Sequence, residues 1–163
     1  MHELKLYNYR NEAVNPNVKN YYDNFRVYAT YPNFFAHNHE ISCATGGKCD
    51  FTLQLWPAMG GKPYIILSGM TGMDPGFDMA AGTIHVPLNA DFWTYMAFNF
   101  YPYWPGFQSF LDANGVATAT LDTFTPLPSS AIGLAMYFDY LVLKSAWSTP
   151  IFSSFPVYVL FLP

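Results

Sequence analysis

A chain of 163 residues is long enough for one domain with a substantial core and short for two. Hydrophobic residues make up 52% of it, aromatic residues 20% and charged residues 11%, which excludes a disordered chain and leaves apolar side chains over for the surface. A net charge of −4, with seven Lys and Arg scattered singly, argues against a nucleic-acid surface. No apolar run approaches the ~18–20 residues of a membrane span before Pro, Gly, Asp or Lys interrupts it.

Taken in chain order, the sequence opens on Met1-His-Glu-Leu-Lys-Leu-Tyr7, without the basic and apolar regions of a signal peptide. Period-two alternation with frequent punctuation then predicts strands near 3–9, 22–29 and 38–43. His37-Asn-His39-Glu40 would place two imidazoles on one side of an extended segment, as metal ligands can lie. A third ligand would have to come from His85 or His2, so the polar start of a strand is the preferred reading, with no metal and no cofactor expected. Cys43 and Cys49 flank Ala-Thr-Gly-Gly-Lys, and Gly46-Gly47 reads as a turn between two strand-like runs. A disulfide stapling that hairpin is the first expectation, ahead of free thiols; the spacing does not suit a metal site.

Segment 49–56 alternates Phe51, Leu53 and Leu55 against Thr52, Gln54 and Trp56. Further strands are expected near 63–68, 83–88, 91–101, 107–112 and 115–122. Asp112-Ala-Asn-Gly115 carries a hairpin-turn signal; it lacks the further carboxylates and terminal Glu of a calcium loop. Segments 132–144 and 155–162 are long and rich in Tyr, Val, Leu and Phe, which suits central strands buried on both faces. The best helical candidate is one turn near Ser129–Leu134. Together these predict an all-β fold with little or no helix: a jelly-roll-like antiparallel β-sandwich over 37–163, preceded by an N-terminal extension over 1–36.

The most informative stretch is Asp91-Phe-Trp-Thr-Tyr-Met-Ala-Phe-Asn-Phe-Tyr-Pro-Tyr-Trp-Pro105. Read as a strand, one face carries Phe92, Thr94, Met96, Phe98 and Phe100 toward the core. The other carries Trp93, Tyr95 and Tyr101, followed by Tyr103 and Trp104 in a proline-flanked loop. Trp93, Tyr95, Tyr101, Tyr103 and Trp104 are therefore the expected binding surface, since such rings are apolar in body and polar at the tip. Burial of both faces within the domain is the alternative. Asp74, Asp78, Asp91, Asp112, Asp122 and Asp139 supply carboxylates, but most sit beside Gly, Pro or Asn, where Asp favours turns. No Gly-x-Ser-x-Gly elbow, phosphate loop or dinucleotide fingerprint occurs, so no enzyme is expected.

A set of landmarks recurs in order from about residue 37 onward: Ile41-Ser-Cys-Ala-Thr-Gly-Gly47, Tyr64-Ile-Ile-Leu-Ser-Gly-Met-Thr-Gly-Met-Asp-Pro-Gly76, Val86-Pro-Leu-Asn-Ala-Asp91, Gly106-Phe-Gln-Ser-Phe-Leu-Asp-Ala-Asn-Gly-Val-Ala-Thr-Ala119, and a final strand from Phe155 to Pro163. This pattern resembles an uncharacterised C-terminal β-sandwich domain of large secreted bacterial proteins. The resemblance implies fold and compartment; it carries no activity, and the two cysteines are outside its usual pattern. Tyr21-Tyr-Asp-Asn-Phe-Arg-Val-Tyr28 looks like the closing strand of a concanavalin-like or laminin-G-like domain, or else adds a strand to the sandwich. The function so implied is a secreted or cell-surface structural module that packs against itself or a larger host protein. A carbohydrate-binding module, with a glycan as partner, is the alternative.

Overall fold

The computed structural model describes residues 34–163 except 81, 83, 100–103 and 147. Residues 1–33 of the expected 1–36 extension, with its two expected strands and its jelly-roll-like segment, lie outside the described residues, as do Tyr101 and Tyr103. Eleven strands and one helix follow in order: β1 (Phe34–Ala36), β2 (Glu40–Ser42), β3 (Lys48–Gln54), β4 (Pro63–Gly69), β5 (Phe77–Met79), β6 (Ile84–Val86), α1 (Phe92–Asn99), β7 (Gln108–Phe110), β8 (Val116–Asp122), β9 (Ala135–Leu143), β10 (Pro150–Ser153) and β11 (Val157–Leu162). A 3-10 turn at Ser129–Ala131 occupies the site of the expected helical turn, and another lies at Pro57–Met59.

Two sheets face each other, as a sandwich requires. The smaller runs β1–β3–β8; the larger runs β2–β11–β9–β4–β7, with β10 also pairing β9. Pairing is antiparallel except between β2 and β11, which run parallel, Glu40 opposite Leu160. Alternation decides what lies between the sheets. In β3, Cys49, Phe51 and Leu53 point inward and are fully buried, while Lys48, Asp50 and Gln54 point to water. The larger sheet answers with Tyr64, Ile66, Phe138, Tyr140 and Val159. The rings interlock around Phe51, which meets Phe34 at 5.5 Å, Phe138 at 4.9 Å and Phe107 at 5.9 Å between centroids.

The larger sheet is buried on its outer face too. Ile65, Leu67 and Leu141 point away from the sandwich and pack under α1 and the β5–β6 hairpin, together with Val86, Leu88 and Ala97. This covering explains why all seven residues of β4 are buried and why β9 is apolar along its length apart from Asp139. β11 is different: Tyr158 on its outer face is 49% exposed, so this strand is covered on one side only at that point.

Two expectations fail for one physical reason. Gly46-Gly47 does turn the chain, but β2 joins the larger sheet beside β11 while β3 joins the smaller beside β8, so the flanking strands do not pair. Cys43 and Cys49 consequently do not face each other across a hairpin; both are buried, free thiols. The Cys49 S–H donates to Asn38 O (2.8 Å), and burial pushes its pKa up, only partly offset by that bond. Asp112–Gly115 turns as expected, with Asp112 Oδ1 accepting from the N–H groups of Asn114 and Val116, both at 2.8 Å. Gly115 has φ +81°, and a Cβ there would stand 2.5 Å from Trp56 O. Yet this turn also crosses between sheets, from β7 to β8.

Among the described residues, one ionisable carboxyl lies wholly inside. Asp139 projects from β9 to the same face as Tyr137 and Leu141, where the edge line breaks between β10 and β11. Ser153 Oγ donates to its Oδ2 (2.7 Å), and Ser154 Oγ donates to Oδ1. Burial raises its pKa to about 6, against the opposing pull of the serine hydroxyls and nearby backbone N–H groups. Below the ordinary value of 3.8 the carboxyl is protonated in both folded and unfolded chains and contributes nothing. Between 3.8 and about 6 only the folded chain holds the proton, so stability falls as pH rises; above that window the full loss is present.

Two measurements check this core. Ellman titration in the absence of reductant is expected to find both thiols unreactive in the folded chain and two per chain after unfolding; none on unfolding would restore the disulfide. Asp139→Asn should remove a loss of about 3 kcal/mol from neutral pH while leaving stability at pH 4 nearly unchanged. Urea unfolding of both proteins from pH 4 to 7 would contradict this if their difference stayed constant.

Candidate functional site

The aromatic stretch that the sequence reads as a strand is the helix α1. Half of its residues are aromatic and, with Thr94, favour strands by propensity, so the reason lies at its first turn. Asp91 precedes Phe92 and caps the helix: its Oδ1 accepts from Trp93 N–H (2.9 Å) and Thr94 N–H (3.0 Å). Its other oxygen reaches across to the β4–β5 connection, accepting from Met70 N–H at 2.7 Å and Thr71 N–H at 3.3 Å. Partial burial works to raise the Asp91 pKa, but the N–H groups of Met70, Thr94 and Trp93 and the Thr71 hydroxyl together hold it below the ordinary value. At the far end, Asn99 Nδ2 donates to Tyr95 O at 2.8 Å.

The side that α1 turns to β4 consists of small residues, Thr94 and Ala97, one turn apart. Thr94 Oγ1 donates to Ser68 O (2.8 Å), which ties the helix to the strand beneath it. Two landmark segments meet here. Asn89 donates from Nδ2 to Thr71 O (2.8 Å) and Asp74 O (3.0 Å), and its Oδ1 accepts from Gly76 N–H (3.0 Å). Asn89 and Asp91 thus bind the 70–76 loop to the start of α1 on both sides.

The helix redistributes the expected surface. Phe92, assigned to the core by strand alternation, is 63% exposed, and Tyr95 one turn later is 60% exposed. Trp93 and Trp104, assigned to the surface, are half-buried and pack against the main core. Their rings lie 6.3 Å apart, and Trp104 continues inward to Phe107 at 5.4 Å. On a helix, neighbours in sequence point about 100° apart rather than 180°, so the alternation argument sorts them wrongly. Of the expected surface, Tyr95 is exposed as read, Trp93 and Trp104 form its footing, and Phe92 is the residue the sequence reading missed. Asp91 followed by Thr94 and Ala97 was the available signal, an N-cap and a small-residue stripe.

The other candidate groups act locally. His37 Nε2 lies 2.7 Å from Thr52 Oγ1, and His39 Nδ1 lies 2.9 Å from Tyr158 O, so each ring serves a different sheet. His85 Nδ1 meets Asp78 Oδ1 at 2.9 Å across the exposed β5–β6 hairpin. Asp122 pairs with Lys48 Nζ (2.9 Å) and accepts from Phe124 N–H (2.8 Å). Among the described residues, no three His, Cys, Asp or Glu side chains gather as a metal site. Nor is any described helix long and apolar enough to cross a membrane. Comparison of the chain with protein-family models, with curated proteins and with solved structures returns no match.

Single replacements separate footing from surface. Trp93→Ala is expected to lower unfolding free energy by about 2–3 kcal/mol, below the ~3–5 kcal/mol of a fully buried aromatic. Tyr95→Ala should stay within about 0.5 kcal/mol. Equal losses in chemical denaturation would show that the two rings are buried alike.

Proposed function

We propose that this domain is a non-catalytic, extracellular contact module, binding a second protein surface through the exposed face of α1. The observation that carries the reading is the pair Phe92 and Tyr95, one turn apart and each more than half exposed, on a helix pinned by Asp91, Asn89 and Thr94. Large aromatic side chains held on a rigid element lose little entropy when a partner covers them, and Trp93 and Trp104 behind them prevent retreat into the core. The sparse charge of the chain suits an apolar contact, with a further copy or a larger host protein as partner. The extracellular setting rests on the resemblance carried by the landmark segments, two of which form the mount of this helix.

A second reading, a carbohydrate-binding module, is favoured by a different observation. On the open outer face of β9 and β11, Tyr158 lies between His39 and Tyr137, with centroids 5.4 and 6.3 Å away. A row of rings suits the apolar faces of a sugar.

Sedimentation over a wide concentration range distinguishes the two. Concentration-dependent association is expected, weakened roughly thirtyfold (about 2 kcal/mol) by Phe92→Ser with Tyr95→Ser. A chain that remains monomeric but binds a glycan array, with loss of binding in Tyr158→Ala, would replace the first reading by the second.

A further inference from the structure

Beyond both surfaces, the larger sheet leaves one end of its outer face uncovered by α1. There β4, β7 and β9 floor a cleft of about 440 Å³, within the range of small-molecule sites. Ile65, Leu141 and Leu143 form the floor, Phe98 and Met79 one wall, and Gln108 of β7 stands opposite Ile65. Among the described residues, the lining carries no charged side chain. It does carry an unanswered polar group: among the described residues, Gln108 Nε2 is the buried side-chain nitrogen or oxygen without a hydrogen-bond partner. Buried polar atoms are nearly always paired, because an unpaired donor forfeits its bond to water and gains none. The last torsion of a glutamine is soft, so its amide can follow an acceptor placed in the cleft.

The geometry points to a binding site for a small, uncharged, mainly apolar molecule that presents one carbonyl oxygen to the Gln108 amide. With Ser109 and Ser148 the serines of the described lining, an apolar floor and wall would leave most hydroxyls of a sugar unpaired. An apolar lining disfavours a carboxylate, which would lose its hydration without meeting a cation in the cleft. A pure hydrocarbon would fill the space and leave Gln108 unsatisfied. The site is independent of the contact face proposed above, since it uses the opposite end of α1.

The test titrates three probes of matched shape into the whole chain and follows backbone amide shifts by NMR: 4-phenylbutan-2-one, butylbenzene and 4-phenylbutanoate. The ketone should bind about tenfold more tightly than the hydrocarbon, one hydrogen bond's worth, with shifts centred on Ile65, Gln108 and Leu143. The carboxylate should bind weakest. Gln108→Leu should retain the hydrocarbon and equalise it with the ketone; Leu143→Trp, filling the cleft, should abolish both, with thermal unfolding checking each fold. Should Leu143→Trp not fold, the shift map and Gln108→Leu decide alone. Absence of saturable shifts at these residues, equal binding of ketone and hydrocarbon to the parent chain, or preference for the carboxylate would each overturn the site.

Discussion

Ring-to-ring packing through the centre of the sandwich is the constraint on which the rest depends. From Phe51 one line of rings runs through Phe34, Tyr140 and Phe152 to the half-exposed Trp56, with successive centroids 5.2 to 6.2 Å apart. Another runs through Phe107, Trp104 and Trp93 to Phe92 at the surface. Such rings bury much area each and add a geometric preference for tilted and edge-on contacts, so they set the separation of the sheets as well as joining them. The aromatic surface of α1 is the outer end of this line rather than a separate feature. That is why Trp93 and Trp104 contribute to stability and exposure together.

What was legible in the sequence follows from which physical signals are local. Alternation is local, and β3, β4, β8, β9 and β11 stand close to their expected positions because inward and outward residues differ sharply in polarity or length of run. Turn chemistry is local as well: Gly46-Gly47 and Asn114-Gly115 both turn the chain. Where a turn delivers the chain is not local. Both send it to the opposite sheet, which removed the premise for a disulfide between Cys43 and Cys49. β1, β5 and β10, three or four residues each, fall outside the expected segments; the equally short β2, β6 and β7 fall inside them. The helix was missed for another reason: its apolar residues surround it, so its buried side is marked by small size at Thr94 and Ala97 rather than by hydrophobicity.

The few charged and amide side chains among the described residues do structural work around α1 and the turns. Asp91 and Asn89 use their side chains on backbone amides and carbonyls of the 70–76 loop, leaving little of either for chemistry. Asp112 and Asp122 fasten turns in the same way. Asp139 alone is deep, and its serine partners hold the break where the edge line passes from β10 to β11. The domain therefore resembles a frame in which these polar residues position backbone.

The parallel pairing of β2 with β11 has a consequence in time. Ile41 has its partner at Phe161, so the strand that fills the gap between β2 and β9 is among the last described segments to be synthesised. At roughly 5–20 residues per second, the intervening chain takes about 6–25 s to appear, and until then β2 has no neighbour and β9 presents an open edge. A nascent chain in that condition offers unpaired N–H and C=O groups beside rich apolar surface, the combination that invites pairing with the wrong strand. The docking of β11 therefore closes both edges at once, pairing β2 on one side and β9 on the other.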